Sequence, residues 1–526
     1  MQNSDPSNIP LELFMHISTF IPLRFAPKTL LSLALGNRYF YRIFHPILYS
    51  RLILRREDDA IMAFQRILDL PELGLSVTQI HLMSDLSIET RRNENPFDVL
   101  VGLQMLLNKQ LVPRLVALSI YLLESWEYDS DWKPIIGHGR LPLDFWRNLR
   151  TACPRLRSLT LRNVGHGDED RWLSGVVIDE LLSLTELTSL RLEFPGDDRG
   201  PPEKEKIRIL KNLPQFATLR VLSIGGQELK GGELFEFKFP NLKWLRLHCF
   251  ASYKDTAKVM AFFDRHPQLE SLSLLDCMHT WFSKDVREGF LPNLKHLKAR
   301  FEDVRCLVPI LPQLVSLAFE ESLNAQVPYL LREVLPDGLP NLKSLEIMQE
   351  AGEWNSRKLE GALWYETLDG EFRLEKVKKR IPRTFMDSYM HSIVRGAPNL
   401  EELGLQGMWF SSEELQTIGP TLAQFRKLTR FYFYGFAPFP RLGTSIPDEK
   451  QGPYISDFLS GAEALARMCS RLETVTSISG RYLPYVSARI TRNSANEVIK
   501  VRQTEDVGMQ IPAHEDDPFP RHNELH

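Results

Sequence analysis

The chain has 526 residues, and its 64 lysines and arginines nearly balance its 67 aspartates and glutamates, which leaves a formal net charge of -3. This balance gives no overall attraction for nucleic acid or for an anionic membrane, and a hydrophobic content of 43% is ordinary for a folded protein. The five cysteines are scattered and form no Cys-x-x-Cys pair, which argues against a disulfide framework and against a structural zinc site.

Near its start the chain predicts three short apolar helices, within residues 8–50. The first opens on Pro10, which suits a first helical position because proline has no N–H to offer. Phe14 and Ile17 mark one helical face, whereas Leu11 and Leu13 point elsewhere. A helix that is apolar on nearly all sides must be covered on more than one side, and three helices of this size bury little surface by themselves.

The strongest pattern in the chain is a repeat, Pro-x-Leu-x-x-Leu-x-Leu, whose last position accepts other apolar residues. Clear copies begin at Cys153, Phe239, His266, Leu291, Leu311, Leu339 and Ala397. The first leucines lie between 20 residues (Leu294 to Leu314) and 32 residues (Leu187 to Leu219) apart, close to the ~20–29 residues of a leucine-rich repeat. The alternative, a set of unrelated amphipathic strands, does not explain so many recurrences.

The spacing of the leucines within each copy predicts the fold class. Leucines that alternate with polar residues are typical of a strand with one buried face, and helix-like segments lie between the copies. One strand and one helix cannot bury these leucines alone, but stacked units can. We therefore predict an α/β fold, a leucine-rich-repeat solenoid of strand-plus-helix units with a parallel sheet on its concave face.

Changes in composition predict the domain boundaries. The predicted parts are a disordered N-terminus (1–7), the helical segment (8–50), a linker with degenerate first repeats (51–152), the repeat array (153–480), a capping hairpin (481–504) and a disordered tail (505–526). An insertion at 350–385 interrupts the array, and Asp369-Gly370 between two apolar runs predicts a hairpin turn there. We interpret the basic run from Lys376 to Arg380 as part of this solvated hairpin, rather than as a nuclear import or nucleic-acid signal.

The helical segment resembles the F-box. That family's pattern is Leu-Pro, a Glu two residues on, a mid-helix Ile, a second Leu-Pro, a leucine-rich helix, Arg-x-Phe and Pro-x-Leu. The matching positions are Ile9-Pro10, Glu12, Ile17, Ile21-Pro22, Leu30 to Leu35, Arg38 with Phe40, and Pro46 with Leu48. Isoleucine replaces the first leucine, and Gly36-Asn37 stands where the family often has Val-Cys. With the repeats behind it, the chain is similar to fungal-type F-box proteins with leucine-rich repeats.

This resemblance implies a function and a set of contacts. In that family the helices bind the Skp-type adaptor and, through it, a cullin scaffold, while the repeats hold a target protein for ubiquitin transfer. The adaptor contact is implied for Ile9, Pro10, Leu11, Leu13, Ile17, Leu31 and Leu33. The alternative for each of these residues is a role in packing the helices together. The implied role is a non-catalytic substrate-recognition subunit of an SCF-type ubiquitin ligase, without a cofactor.

A target-binding surface is predicted on the middle repeats, where residues beside the inner leucines point out of the concave face. The predicted basic surface consists of Arg191, Trp244, Arg246, His248, His296, Lys298 and Arg300. Clustered cations beside an aromatic anchor are favoured at interfaces, so the pattern favours an acidic or phosphorylated segment of a target protein. The alternative is a solvated strand face with chance charges.

The sequence lacks the catalytic and metal-binding motifs that would indicate an enzyme. It contains no phosphate-binding, zinc-protease or serine-hydrolase motif and no histidine pair with metal-ligand spacing, so we predict neither a catalytic residue nor a metal. No apolar run reaches ~18 residues, and the start lacks a signal-peptide pattern. We therefore expect the cytosol or the nucleus, and neither a membrane nor a nucleic-acid partner. Two alternatives remain open, a leucine-rich-repeat scaffold without a ubiquitin role and an enzyme with unrecognised chemistry.

Overall fold

The repeated leucines lie on parallel β-strands in the computed structural model of the chain. The structure describes residues 10–19, 21, 26–54, 57–85, 99–123, 140–141, 144–162, 165–166, 175–193, 203–251, 255–275, 280–282, 286–321, 330–335, 337–349, 362–366, 372–376, 383–406, 410–434, 448–478 and 486–504. The chain divides into two units, Met1–His266 with Asp276–Met278, and Pro267–Leu275 with His279–His526. The predicted disordered ends, 1–7 and 505–526, lie outside the described residues.

Three helices open the first unit, α1 (Leu11–Thr19), α2 (Ala26–Ala34) and α3 (Arg38–Ser50). Asn37 begins α3, because its side-chain oxygen accepts a hydrogen bond of 2.8 Å from the backbone N–H of Phe40. Such a cap satisfies one of the N–H groups that the first helical turn leaves without a partner.

A small aromatic core holds the three helices together. Its buried members are Phe14, Leu30, Ala34, Ile43 and Phe44. Phe14 packs edge-on against Phe40 and Phe44, with ring centroids 6.1 and 5.6 Å apart. Thr78, before the second strand, donates to the carbonyl of Ser50 from its backbone N–H at 2.9 Å and from its hydroxyl at 2.8 Å. These bonds fix the end of α3 to the first repeats.

The sheet of the first unit is parallel, and its strands follow the order of the chain. They are β1 (Arg51–Leu54), β2 (Gln79–Asp85), β3 (Ala117–Leu123), β5 (Ser158–Arg162), β7 (Ser189–Glu193), β8 (Val221–Lys230) and β9 (Trp244–Ala251). A separate short pair is formed by β4 (Arg140–Leu141) and β6 (Gly165–His166). Within the range predicted as a linker with degenerate repeats, β1, β2 and β3 therefore belong to the same sheet as the later strands.

Helices and short 3-10 turns connect these strands. The helices are α4 (Glu57–Asp69), α5 (Pro71–Gly74), α6 (Val99–Asn108), α7 (Phe145–Ala152), α8 (Gly175–Leu182), α9 (Glu203–Asn212) and α10 (Thr256–Asp264). The 3-10 turns span Leu213–Gln215 and Gly231–Glu236.

The strand register aligns the inner leucines of successive repeats. One row runs from β3 to β9 through Leu118, Leu159, Leu190, Leu222 and Leu245. A second row, two residues later, contains Ile120, Leu161, Leu192, Ile224 and Leu247. Every one of these side chains is 2% exposed or less. Because successive side chains on a strand point to opposite faces, both rows share the buried face, and the residues between them line the other face.

The second unit repeats this arrangement. Its parallel strands are β10 (Ser271–Leu275), β11 (His296–Arg300), β12 (Ser316–Glu321), β13 (Ser344–Gln349), β16 (Glu402–Gln406), β17 (Arg430–Tyr434) and β18 (Thr474–Ile478). Its helices are α11 (Phe301–Cys306), α12 (Arg383–Gly396), α13 (Ser412–Leu422) and α14 (Asp448–Met468), with a 3-10 turn at Val308–Gln313 and a π turn at Leu330–Val334. The predicted fold class, an α/β leucine-rich-repeat array with a parallel sheet, is confirmed for both units.

Two antiparallel hairpins depart from the parallel pattern. Within the predicted insertion, β14 (Ala362–Glu366) pairs with β15 (Phe372–Lys376). The turn predicted at Asp369-Gly370 lies outside the described residues. At the end of the second unit, β19 (Val486–Arg492) pairs with β18 and with β20 (Val498–Thr504), both antiparallel.

The asparagine of the Pro-Asn-Leu motif joins one repeat to the next. In the second unit, Nδ2 of Asn293, Asn341 and Asn399 each donates a 2.9 Å hydrogen bond to a carbonyl oxygen of the preceding repeat. In the first unit, Asn241 makes the equivalent bond of 3.0 Å to Ala217. A buried or half-buried carbonyl needs such a partner, so the motif provides hydrogen bonding between repeats as well as burial of leucine.

The last hairpin also closes the end of α14. Nη2 of Arg492 donates hydrogen bonds of 2.7 and 2.8 Å to the carbonyl oxygens of Ala466 and Cys469. The final carbonyl groups of a helix have no intrahelical partner, and the arginine supplies one.

Candidate binding surfaces

The first candidate surface lies on the solvent side of α1 to α3. Leu13 and Ile17, one helical turn apart on α1, are 47% and 46% exposed, and Leu31 on α2 is 47% exposed. Leu35, just after α2, is 73% exposed, and Tyr41 on α3 is 48% exposed. We call these five side chains the helical apolar surface. Four of them lie on helices that also contribute buried side chains to the core around Phe14, and Leu35 directly follows α2.

The structure separates the residues that the resemblance grouped as adaptor contacts. Pro10 is exposed, together with Leu13, Ile17 and Leu31. Leu33 is instead half-buried and packs against the core of the helices. Ile9 lies outside the described residues, and for Leu11 the structure describes only the backbone of α1.

Two members of the helical apolar surface, Leu35 and Tyr41, are missing from the implied contacts. Leu35 follows Leu31 by four residues, which is the spacing of neighbours on one helical face, and this signal could have identified it. The sequence does not distinguish Tyr41 from its aromatic neighbours Tyr39 and Phe40, which the structure places half-buried against the core.

In the first unit, the predicted basic surface occupies β7 and β9. The register places Arg191, Ser223 and Arg246 side by side on β7, β8 and β9, and Trp244 and His248 flank Arg246 on the same face. All but the buried Ser223 are half-buried. These positions agree with the rows that alternation along the strands predicts.

An acidic residue enters this group from the neighbouring row. Nη1 of Arg246 lies 3.8 Å from Oε1 of Glu193 on β7. Between Glu193 and His248 stands Gly225, where a Cβ atom would lie 3.4 Å from Glu193 Cγ and 3.2 Å from His248 Cβ. The absence of a side chain at Gly225 therefore lets the two neighbours approach. We call Arg191, Glu193, Arg246 and His248, with Trp244 beside them, the polar patch. Its charges are mixed, so it is not a purely basic surface.

The row of Arg191 continues into the first strands as a buried polar line. His81, Ser119 and Thr160 follow one another on β2, β3 and β5. Nδ1 of His81 lies 2.9 Å from the hydroxyl of Ser119. Burial, with a smaller effect of Arg51 and Arg191, lowers the pKa of His81 to about 3, so the ring is neutral at pH 7.

In the second unit, the predicted basic surface is reduced to one strand, β11. Lys298 is only 7% exposed, and Nε of Arg300 lies 3.7 Å from Oε2 of Glu302. Burial lowers the pKa of His296, Lys295 lowers it further, and Glu270 acts in the opposite direction. The positive charge that β11 presents to solvent is consequently smaller than its residue types suggest.

Later strands of the second unit are acidic and then aromatic on this face. Glu402 is 1% exposed, and its Oε2 accepts a 3.2 Å hydrogen bond from the hydroxyl of Ser344. Tyr432 is buried, and its ring occupies the space that a side chain at Gly404 would need. The residue types and charges on this face of the sheet therefore change from repeat to repeat.

The described part of the chain shows neither a metal-binding cluster nor a membrane-spanning helix. No group of three or more histidine, cysteine, aspartate or glutamate residues there is placed to hold a metal ion. None of the helices that the structure describes combines the length and the apolarity needed to cross a bilayer. Burial raises the pKa of the Cys153 and Cys469 thiols to about 12, so both thiols are protonated at pH 7.

Comparisons with known proteins give structural neighbours alone. No protein-family model and no curated protein matches the sequence. An internalin from Listeria monocytogenes is 12% identical over 74% of this chain and 92% of its own, with a TM-score of 0.27. The leucine-rich repeat-containing protein LegL7 from Legionella pneumophila is 14% identical over 66% and 96%, with a TM-score of 0.29. The yeast complex of Rad7 and Elc1 provides a chain that is 14% identical over 74% and 91%, with a TM-score of 0.36.

Proposed function

We propose that this chain is the substrate-recognition subunit of an SCF-type ubiquitin ligase. The helical apolar surface binds a Skp-type adaptor, which connects the chain to a cullin scaffold, and the leucine-rich repeats bind a target protein in the cytosol or the nucleus. The chain itself performs no chemistry in this proposal. It holds a lysine of the target near a loaded conjugating enzyme and so raises the effective concentration of the reacting groups.

The observation that carries this proposal is the helical apolar surface. A single exposed leucine needs no explanation, but five large apolar side chains are exposed within the segment of the three helices, Leu13, Ile17, Leu31, Leu35 and Tyr41. Burying one such side chain fully is worth about 1.5–3 kcal/mol, so a partner that covers several of them gains substantial affinity. The resemblance of residues 8–50 to the F-box supports a Skp-type adaptor as this partner.

Copurification with the adaptor tests the proposal. The full chain is mixed with a purified Skp-type adaptor and separated by size-exclusion chromatography with light scattering. We expect a complex containing one copy of each protein. If the two proteins elute separately at micromolar concentration, the ubiquitin-ligase role is wrong, and the interaction scaffold without a ubiquitin role becomes the better description.

For the target, we propose that the polar patch of the first unit contributes a contact through Trp244 and Arg246. Half-buried aromatic and arginine side chains are the types that dominate binding energy at protein interfaces. The ion pair of Arg246 with Glu193 orients the guanidinium, whose planar shape suits an acidic group of the target. On β11, His296, Lys298 and Arg300 remain a second proposed contact, with Arg300 the more exposed of its two permanent cations.

Replacing Trp244 by Ala together with Arg246 by Ser is expected to reduce recovery of the bound target about tenfold or more, because both changes remove anchor groups. The measurement is quantitative mass spectrometry of proteins captured by the full chain. Lys258→Ser is the matched control, since Lys258 is an exposed cation on α10 of the same unit. Equal recovery by the double variant and by the control would remove the polar patch from the target-binding surface.

A further inference from the structure

The last hairpin places like charges opposite each other on an exposed face. In the register of β19 and β20, Arg489 lies directly opposite Arg502, and Lys500 lies opposite Thr491. Arg489, Lys500 and Arg502 are all exposed, and we call them the terminal basic patch. Like charges at such positions, with Cβ atoms about 4.5–5.5 Å apart, destabilise an antiparallel pair. The arrangement therefore does not serve the stability of the hairpin.

None of the three side chains of the terminal basic patch forms a salt bridge with an acidic residue in the described part of the chain. Glu497 is close in sequence, but its Oε2 accepts a 2.8 Å hydrogen bond from Asn493 in the turn. Arg430 lies in the same row, two strands from Arg489, and has Glu402 of β16 as its next neighbour in that row. The row runs through Arg430, Thr474, Arg489 and Arg502.

β20 also forms the end of its sheet. Among the described residues it pairs with β19 alone. The outer edge of an end strand carries backbone N–H and C=O groups with which a further strand can pair. Ile499, next to Lys500 on β20, is 64% exposed. Successive side chains on a strand point to opposite faces, so Ile499 offers an apolar contact on the other face of the strand. Isolated charges on an edge strand are a common protection against aggregation. An arginine pair across two strands goes beyond such protection because it costs stability, and it repels a second copy of this hairpin.

We propose that the terminal basic patch and the edge of β20 bind an extended acidic segment of a partner protein. The segment adds as a strand beside β20, so that its backbone pairs with the edge and its carboxylates lie near Lys500 and Arg502. A nucleic acid fits this surface less well, because the few cations neutralise few phosphates and a strand edge has no complement in a base. This inference is independent of the ubiquitin-ligase role.

Fluorescence anisotropy of the full chain with a short labelled peptide of alternating glutamate and valine tests the inference. Arg502→Glu is expected to weaken binding at least about tenfold, the equivalent of one charge-assisted hydrogen bond. The midpoint of thermal unfolding is expected to stay constant or to rise, because Glu opposite Arg489 replaces repulsion by attraction. Arg489→Ser, which introduces no new charge, is expected to weaken binding without lowering the midpoint.

Arg395→Glu is the matched control, since Arg395 is an exposed cation on α12 and the change in charge is the same. The control is expected to retain nearly all of the binding. An equal loss in Arg395→Glu and Arg502→Glu, or equally tight binding of a peptide of alternating lysine and valine, would overturn the proposal. Patch-dependent binding of a single-stranded oligonucleotide or of an anionic vesicle, without binding of the acidic peptide, would also overturn it.

Discussion

Changing Ile17 to Asp and Leu31 to Arg together is expected to weaken binding of the full chain to a purified Skp-type adaptor by about a hundredfold or more. Both side chains are nearly half exposed, at 46% and 47%, and neither belongs to the buried core around Phe14. The helices should therefore fold normally, while a charge on the covered side of the complex loses its hydration without gaining a partner. Isothermal titration calorimetry measures the affinity, and circular dichroism checks that the helices persist.

The control for this experiment is Met62→Asp, because Met62 is 60% exposed on α4 of the same unit and lies outside the helical apolar surface. Its affinity for the adaptor should equal that of the unchanged chain. Leu33→Asp should behave differently from both, since Leu33 packs against the helical core and its replacement should also lower the helical signal. Adaptor binding that survives the Ile17 and Leu31 changes would show that the helical apolar surface is not the contact.

Replacing His266 by Ala is expected to lower the free energy of unfolding of the first unit by about 3 kcal/mol at pH 7. The side chain is 0% exposed and joins two segments of the chain. Its Nε2 accepts a 2.8 Å hydrogen bond from the backbone N–H of Phe239, and its Nδ1–H donates at 2.6 Å to the carbonyl of Phe262. Alanine would leave the buried N–H of Phe239 without this partner, and it would leave a cavity as well. The carbonyl of Phe262 would keep its hydrogen bond from the backbone N–H of Arg265. Urea unfolding measures the loss, and His391→Ala, an exposed histidine on α12, should change little.

The same histidine predicts a dependence of stability on pH. Burial lowers the pKa of His266 to about 4, against 6.5 in the unfolded chain, although the hydrogen bond to Phe262 acts in the opposite direction. The folded state therefore prefers the neutral ring, because a proton on Nε2 would face the N–H of Phe239. The stabilising contribution of His266 is present above about pH 6.5 and is lost as the pH falls through about 4. The difference between the unchanged chain and His266→Ala should accordingly shrink between pH 7 and pH 4.

The contribution of Asp303 to the stability of the second unit should depend on pH in the opposite direction. Burial raises the pKa of its carboxyl to about 6, although the backbone N–H groups of Trp281 and Phe282, which donate to it at 2.5 and 3.2 Å, oppose this shift. The folded state holds the proton more tightly than the unfolded state does, so this contribution is present below about pH 3.8 and is lost as the pH rises through about 6.

For His266, the contradicting result would be an acid titration that lowers the unfolding free energy by the same amount in the unchanged chain and in His266→Ala.

The fold followed from the sequence because its determinants are local and repeated. In each repeat the leucines alternate with polar residues, and this period predicts a strand with one buried face wherever it occurs. Stacking identical units then leaves one register, in which leucine faces leucine, as in the row from Leu118 to Leu245. Alternation also aligned Arg191 with Arg246, as the register of the first unit has them, and Ser273 with Lys298, as the register of the second unit has them.

Exposure and charge compensation were decided by the tertiary structure alone, because both depend on residues far away in the chain. Leu31 and Leu33 are equally apolar in sequence, yet one is 47% exposed and the other packs on a core formed by all three helices. Lys298 is 7% exposed, and Arg246 lies beside Glu193, two strands away. Arg489 meets Arg502 only because the last turn and its hairpin register bring them together. The sequence by itself thus determined the repeating strands and their buried leucines, whereas packing between elements decided which side chains remain available to a partner.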